Sequence, residues 1–121
     1  MSIESNPDAL PKVNAFDIEV EMIGLPEEDV VAGPAAEGWK VLHQWRGIDI
    51  GVHSFAGGAA YYEDTDQVFV ILAGSATVTW PDGSMLDVGA GDVVALKATG
   101  SKLKWTIHET LRKVYLYSPG E

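Results

Sequence analysis

An all-β fold, either a sandwich or a closed barrel, is what this 121-residue sequence predicts, and three observations predict it. From residue 39 onward, glycine or turn pairs interrupt the chain every six to ten residues: Arg46-Gly47, Gly57-Gly58, Ala73-Gly74, Pro81-Asp82-Gly83, Gly89-Ala90-Gly91-Asp92 and Gly100-Ser101. Between these breaks lie short runs rich in β-branched and aromatic residues, the composition that suits a pleated, half-buried surface. Only one stretch in the whole chain reads as a helix. About nine short strands with almost no helix leave few architectures other than packed or closed antiparallel sheets.

Taken in order, residues 1–15 carry Ser, Asn and two Pro without any period, and are expected to fray or drape. Phe16 to Ile23 alternates apolar with acidic side chains, the pattern of a half-buried strand. Pro26 to Gly33 reads as the one short helix, with Pro in its first turn, acids at its positive start and Gly33 to end it. The strands that follow are expected at 40–45, 48–55, 59–63, 67–72, 76–80, 84–88, 92–97, 102–108 and 111–117. Trp80-Pro81-Asp82-Gly83-Ser84 is a tight hairpin signal, because Pro enters the turn and Gly takes positive φ at no cost. This divides the chain into an acidic N-terminal arm, 1–38, and a barrel, 39–121. The run Gln67 to Leu72 is apolar on both faces, whereas antiparallel strands usually wet one side. A second sheet or a partner subunit must cover Val68, Val70 and Leu72, and a homodimer is the expectation.

Composition narrows the function. The chain has no cysteine, which removes disulfide frameworks, thiolate zinc sites, iron–sulfur clusters and thiol nucleophiles. The longest apolar run, Val68 to Ala73, is far short of the ~20 residues of a membrane helix. No basic start followed by an apolar stretch marks an export signal, so a cytoplasmic location is expected. A net charge of −10 disfavours nucleic acid and anionic membranes, whose binding draws on clustered Lys and Arg. The charge is also segregated. Residues 1–37 hold nine acids against Lys12 alone, and residues 97–113 hold five bases against Glu109 alone. The arm could therefore dock on the basic segment; equally, both could be solvated faces. Neither a Gly-x-Ser-x-Gly nucleophile turn nor a phosphate-binding G-x-x-x-x-G-K-[ST] loop occurs.

The ordered series Asp66 to Gly74, Pro81-Asp82-Gly83 and Gly89-Ala90-Gly91-Asp92, closed by Gly100 to Trp105 and Leu111-Arg112-Lys113-Val114-Tyr115, resembles a cupin. Trp105, five residues after Gly100, and the Arg-Lys-x-Tyr strand resemble the branch that includes (S)-ureidoglycine aminohydrolase and ethanolamine-utilisation proteins. The resemblance covers residues 48–117. It implies a double-stranded β-helix, the small jelly-roll barrel of the RmlC-like superfamily, whose sheets commonly pair in dimers. It also implies where a metal would be held, and the family ligand positions fall on Gln67, on Tyr61 and Glu63 (or Ala60 and Tyr62), and on Leu103.

Leucine donates nothing, and one carboxylate with one amide is a weak set for Mn²⁺ or Zn²⁺. No cofactor is therefore expected, although weak divalent-metal binding stays open. His53 could complete an improvised site with Glu63 and Gln67 if the face Asp49, Gly51, His53, Phe55 looks inward; the plainer alternative is a surface or interface histidine. His43, alternating with Val41 and Trp45, is expected in the core, and His108 in solvent. Glu63, Asp64 and Asp66 form an acidic cluster that could pair as acid and base or simply cap a loop. Glu63 is the best catalytic candidate, since the family register places it at the barrel mouth. Phe69, Trp80, Leu103 and Trp105 are expected inside, with Tyr61, Tyr62, Glu63, Gln67 and His53 around a ligand.

The expected function is thus that of a metal-poor cupin that binds a small polar metabolite or serves as an accessory component. The alternative is a metal-dependent aminohydrolase acting on a ureidoglycine-like compound. Metal-free catalysis by Glu63 with a nearby Tyr or His is a third possibility.

Overall fold

The computed structural model describes residues 12–63 and 65–118. Nine strands follow in order: β1 (Ile23–Gly24), β2 (Val30–Ala32), β3 (Ala36–Trp45), β4 (Ile48–Ala56), β5 (Ala59–Tyr62), β6 (Gln67–Thr79), β7 (Met85–Gly89), β8 (Val93–Leu96) and β9 (Leu103–Tyr117). All pairings are antiparallel. They form one curled sheet whose two halves face each other. One half runs β1-β3-β4-β9-β6-β8; the other runs β2-β5-β9-β6-β7. The expected double-stranded β-helix is present.

Two expected pairs of strands turn out to be single elements. Residues 67–72 and 76–80 merge into β6, and 102–108 and 111–117 merge into β9. Each long strand passes from one half of the barrel to the other, and the two bend together. Their register slips between Ile71 and Ala76, where Ile71 faces Lys113 but Ala76 faces Ile107. Gly74 makes the bend possible. Its φ is +86°, and a Cβ there would meet the Thr110 carbonyl oxygen at 2.0 Å. What looks in sequence like a turn between strands is therefore a corner within one strand.

The arm departs most from expectation. The helix expected over 26–33 is a three-residue 3-10 turn, Glu27–Asp29, followed directly by β2. Val30–Ala32 extends instead because β2 pairs with β5 across Ala59 and Ala60, so ladder hydrogen bonds replace helical ones. The expected strand over 16–23 is reduced to Ile23–Gly24. Upstream of it, Asn14 caps a turn by accepting the backbone N–H groups of Phe16 and Asp17. The arm is held by its carbonyls: Arg112 donates from Nε to the Ala15 oxygen at 2.8 Å and from Nη2 to that of Ile18. Gly38 lets the arm cross β3 closely, since a Cβ there would collide with the Glu21 carbonyl oxygen. Of the charge complementarity between the arm and residues 97–113, one ion pair is seen among the described residues, Lys102 to Asp29 at 2.7 Å. Residues 1–11 of the arm lie outside the described residues.

The core lies between the two halves: Phe55, Phe69, Ile71, Ala76, Val78, Val88, Leu96, Leu103, Trp105, Leu111 and Tyr115. His43 is not part of it. A bulge between Val41 and His43 shifts the side-chain phase of β3, so that Leu42 is buried, His43 is half-exposed and Trp45 is exposed. His108 is exposed, as expected, and lies 2.8 Å from the Thr77 hydroxyl.

Candidate functional site

Strand alternation on β4 and β9 sends His53, Phe55, Leu111, Lys113 and Tyr115 to the inner face. The register then sets Lys113 between His53 on β4 and Ile71 on β6, with Trp39 of β3 beyond His53. Lys113 is the centre of the arrangement. It is 1% exposed, one of two polar residues in the buried set. Its Nζ sits 4.1 Å from the ring centre of Phe69, 4.7 Å from Trp105 and 5.1 Å from Phe55. The amine donates one long hydrogen bond, to Gln67 Oε1 at 3.4 Å. Burial pushes the Lys113 amine down to about 7, against the opposing pull of the Glu37 carboxylate. Three aromatic faces attract an ammonium ion but do not replace its water.

His53 is half-buried and its Nε2 lies 2.8 Å from Glu37 Oε1. Burial lowers its pKa first of all, the Glu37 hydrogen bond opposes that, and the nearby Lys113 charge lowers it further. Neutral His53 must then donate Nε2–H to the carboxylate, which leaves the Nδ1 lone pair open. Its ring packs on Phe55 at 4.2 Å and edge-on to Tyr115 at 6.2 Å. Gly51, opposite Tyr115, supplies the space for that phenol: a Cβ would come within 2.5 Å of its oxygen. Burial also raises the phenols of Tyr62 and Tyr115, with Glu37 adding to the first and Asp49 to the second. Both stay protonated donors at neutral pH.

These groups border an open cavity of about 510 Å³, whose wall includes Glu37, Trp39, His53, Phe55, Trp105 and Lys113. Of the residues expected around a ligand, His53, Tyr61, Tyr62, Glu63, Gln67 and Trp105 line it. Phe69 and Leu103 do not; they are fully buried core residues, and Phe69 acts on the site only as a face under Lys113. Trp80 packs against the core from the hairpin beyond β6 and does not reach the cavity. Glu63 is exposed at the rim. Of the acidic cluster, Asp66 accepts the Ala98 N–H at 2.7 Å in an exposed loop, and Asp64 lies outside the described residues.

A divalent ion of the kind the resemblance implies requires about three nitrogen or oxygen ligands. Among the described residues, no three of His, Asp and Glu come together at ligand spacing. Leu103 is buried and has no donor atom, Gln67 Oε1 already accepts from the Lys113 amine, and His53 with one carboxylate falls short of three ligands, so this set does not fit a divalent cation.

Sequence reasoning missed Glu37, Trp39, Lys113 and Tyr115. The signal for Lys113 was available: Leu111, Lys113 and Tyr115 share one face of a strand, and that face is the apolar one. Counting Lys113 with a solvated basic segment hid it. Glu37 carried no such signal, because it precedes the first expected barrel strand and reaches His53 only through the β3–β4 register.

The model of the EutQ-like cupin domain matches residues 51–115. A search of curated proteins found no match. Among solved structures, the chain is similar to the EutQ protein of Clostridium difficile, with 15% identity, 80% of this chain and 81% of that one covered, and a TM-score of 0.62. It is similar to a putative ethanolamine utilization protein Q from Salmonella typhimurium, with 17% identity, 86% and 98% coverage, and a TM-score of 0.61. It is similar also to a Rhizobium leguminosarum protein of unknown function, with 24% identity, 69% and 82% coverage, and a TM-score of 0.60. At these identities the structural matches speak for the fold alone. They give no support to the ureidoglycine side of the resemblance.

Proposed function

On the premise that the chain belongs to the EutQ-like cupin domain family, whose model matches residues 51–115, we propose that it is a metal-independent binder of a small polar organic molecule. The observation that carries this reading is the buried Lys113 amine facing, with the His53–Glu37 pair, into the 510 Å³ cavity. Such a pocket has the size and the mixed lining of a small-molecule site, apolar walls with few convergent polar groups. Trp105, Phe55 and Tyr62 exclude water from one side of a ligand, while Lys113 and the Tyr62 phenol donate hydrogen bonds to an acceptor such as a carbonyl oxygen. Glu63 and Gln67 at the rim accept from donors on the ligand. A role as an accessory component is compatible with the same binding chemistry.

The metal-dependent aminohydrolase reading is not favoured, because among the described residues no three His, Asp and Glu side chains come together to hold its ion. Elemental analysis of protein purified without chelator or added metal tests this, with melting curves with and without Mn²⁺ and Zn²⁺. Trace metal and unchanged melting are expected. Stoichiometric metal lost in Glu63→Ala or His53→Ala would overturn the proposal.

A further inference from the structure

Resting on the reading of the cavity as a small-molecule site, we infer that Lys113 is a nucleophilic amine that forms an imine with a small aldehyde or ketone bound there. Four observations lead to it. The amine is buried against three aromatic faces and donates one long hydrogen bond, 3.4 Å to Gln67 Oε1. It borders a cavity of about 510 Å³, large enough for a carbonyl compound of several heavy atoms. His53 is its cross-strand neighbour on the same face. The His53 ring is oriented by Glu37 at 2.8 Å, which leaves one ring nitrogen open to carry a proton.

A desolvated lysine in an apolar pocket is the known route to an uncharged, nucleophilic amine at neutral pH, and the lowered Lys113 pKa agrees with that. Besides His53 and the phenols of Tyr61, Tyr62, Tyr115 and Tyr117, the titratable groups at the cavity are Glu37, Glu63 and Asp29, opposed by Lys102, which Asp29 holds in an ion pair at the rim.

The chemistry balances without an added oxidant or reductant. The Nζ lone pair attacks the carbonyl carbon, a C–N bond forms, and the C=O π pair moves onto oxygen. One nitrogen proton passes to that oxygen through His53, giving a neutral carbinolamine. The C–O bond then breaks as the oxygen takes a second proton and leaves as water. The nitrogen pair closes the C=N bond, and loss of the remaining nitrogen proton returns what was borrowed. The net change is amine plus carbonyl to imine plus water. His53 acts by moving protons, and Glu37 is a positioning residue that fixes the ring.

The test is reductive trapping. Full-length protein is incubated with propionaldehyde and cyanoborohydride at pH 7, and each lysine is followed by peptide mass spectrometry. Lys12, Lys40, Lys97, Lys102 and Lys104 serve as internal references in the same tube. An ordinary lysine, with a pKa near 10.4, is roughly 0.1% or less free amine at pH 7. Lys113 is expected to gain the N-propyl group about tenfold faster or more than the references, the excess shrinking as pH rises toward 10. His53→Gln is expected to slow labelling at Lys113 and leave the references unchanged. Labelling spread over the references, with Lys113 unmodified at every pH, would overturn the inference without any variant having to fold. NMR of the Trp105 indole with propionaldehyde alone separates the two claims. A shifted indole with unlabelled Lys113 leaves the binding site and removes the imine; an unshifted indole with unlabelled Lys113 removes both.

Discussion

Lys113 carries the energetic tension of the molecule. Its amine is lowered from 10.5 in the unfolded chain to about 7 in the folded protein. The unfolded chain therefore binds the extra proton between those values, and stability contributed by this residue rises with pH from about 7 to 10.5. His53, also lowered, contributes in the same direction at lower pH: its share is complete above 6.5 and is lost as pH falls below that. General repulsion in a chain of net charge −10 works the other way at high pH, so the variant difference is the clean quantity. Lys113→Met keeps the volume and removes the buried charge. It is expected to be more stable than the parent at pH 7 by about 1–4 kcal/mol, a gap that narrows toward pH 10. Urea unfolding of both proteins at the two pH values measures it. Equal stability at both would show that the amine is not desolvated.

At the scale of the element, β6 and β9 decide the shape. Gly74 and Gly83 both have positive φ, +86° and +91°, and both would strain an alanine. Only Gly74 also faces backbone within 2.0 Å, whereas nothing lies within 4 Å of a Cβ at Gly83. Gly83→Ala should cost about 1 kcal/mol and Gly74→Ala about 3 kcal/mol or more, compared by thermal melting. The sequence showed that Gly74 breaks something, and pattern alone could not tell a corner from a turn. Strand positions in the barrel were legible because period-2 alternation and glycine punctuation are local signals. The arm was not: Pro26 to Gly33 has good helical end signals, but pairing of Val30–Ala32 with β5 outweighed them. The cavity was half legible for a related reason. His53, Glu63 and Gln67 stand out by residue type, while Glu37 and Lys113 become functional only through cross-strand register.

The whole molecule leaves an apolar surface outside the barrel. Val93 is 71% exposed, Val68 42% and Leu116 37%, and β6 pairs Val68 with Leu116 on one side and Val70 with Val93 on the other. β8 is the edge strand of the larger half. We propose that this apolar patch is buried against a second copy. The parent is then expected to sediment as a dimer and Val93→Glu as a monomer in analytical ultracentrifugation, with the melting of the barrel itself unchanged. A monomeric parent protein would show that the surface stays in water.

A barrel built around a buried amine differs from one built around a cation, and the difference reduces to the protonation of one nitrogen. NMR titration of the Lys113 side chain in lysine-¹³C-labelled protein observes it directly. A midpoint near 7 is expected for Lys113, set apart from the remaining lysines. A midpoint above about 9.5, indistinguishable from exposed lysines, would contradict it.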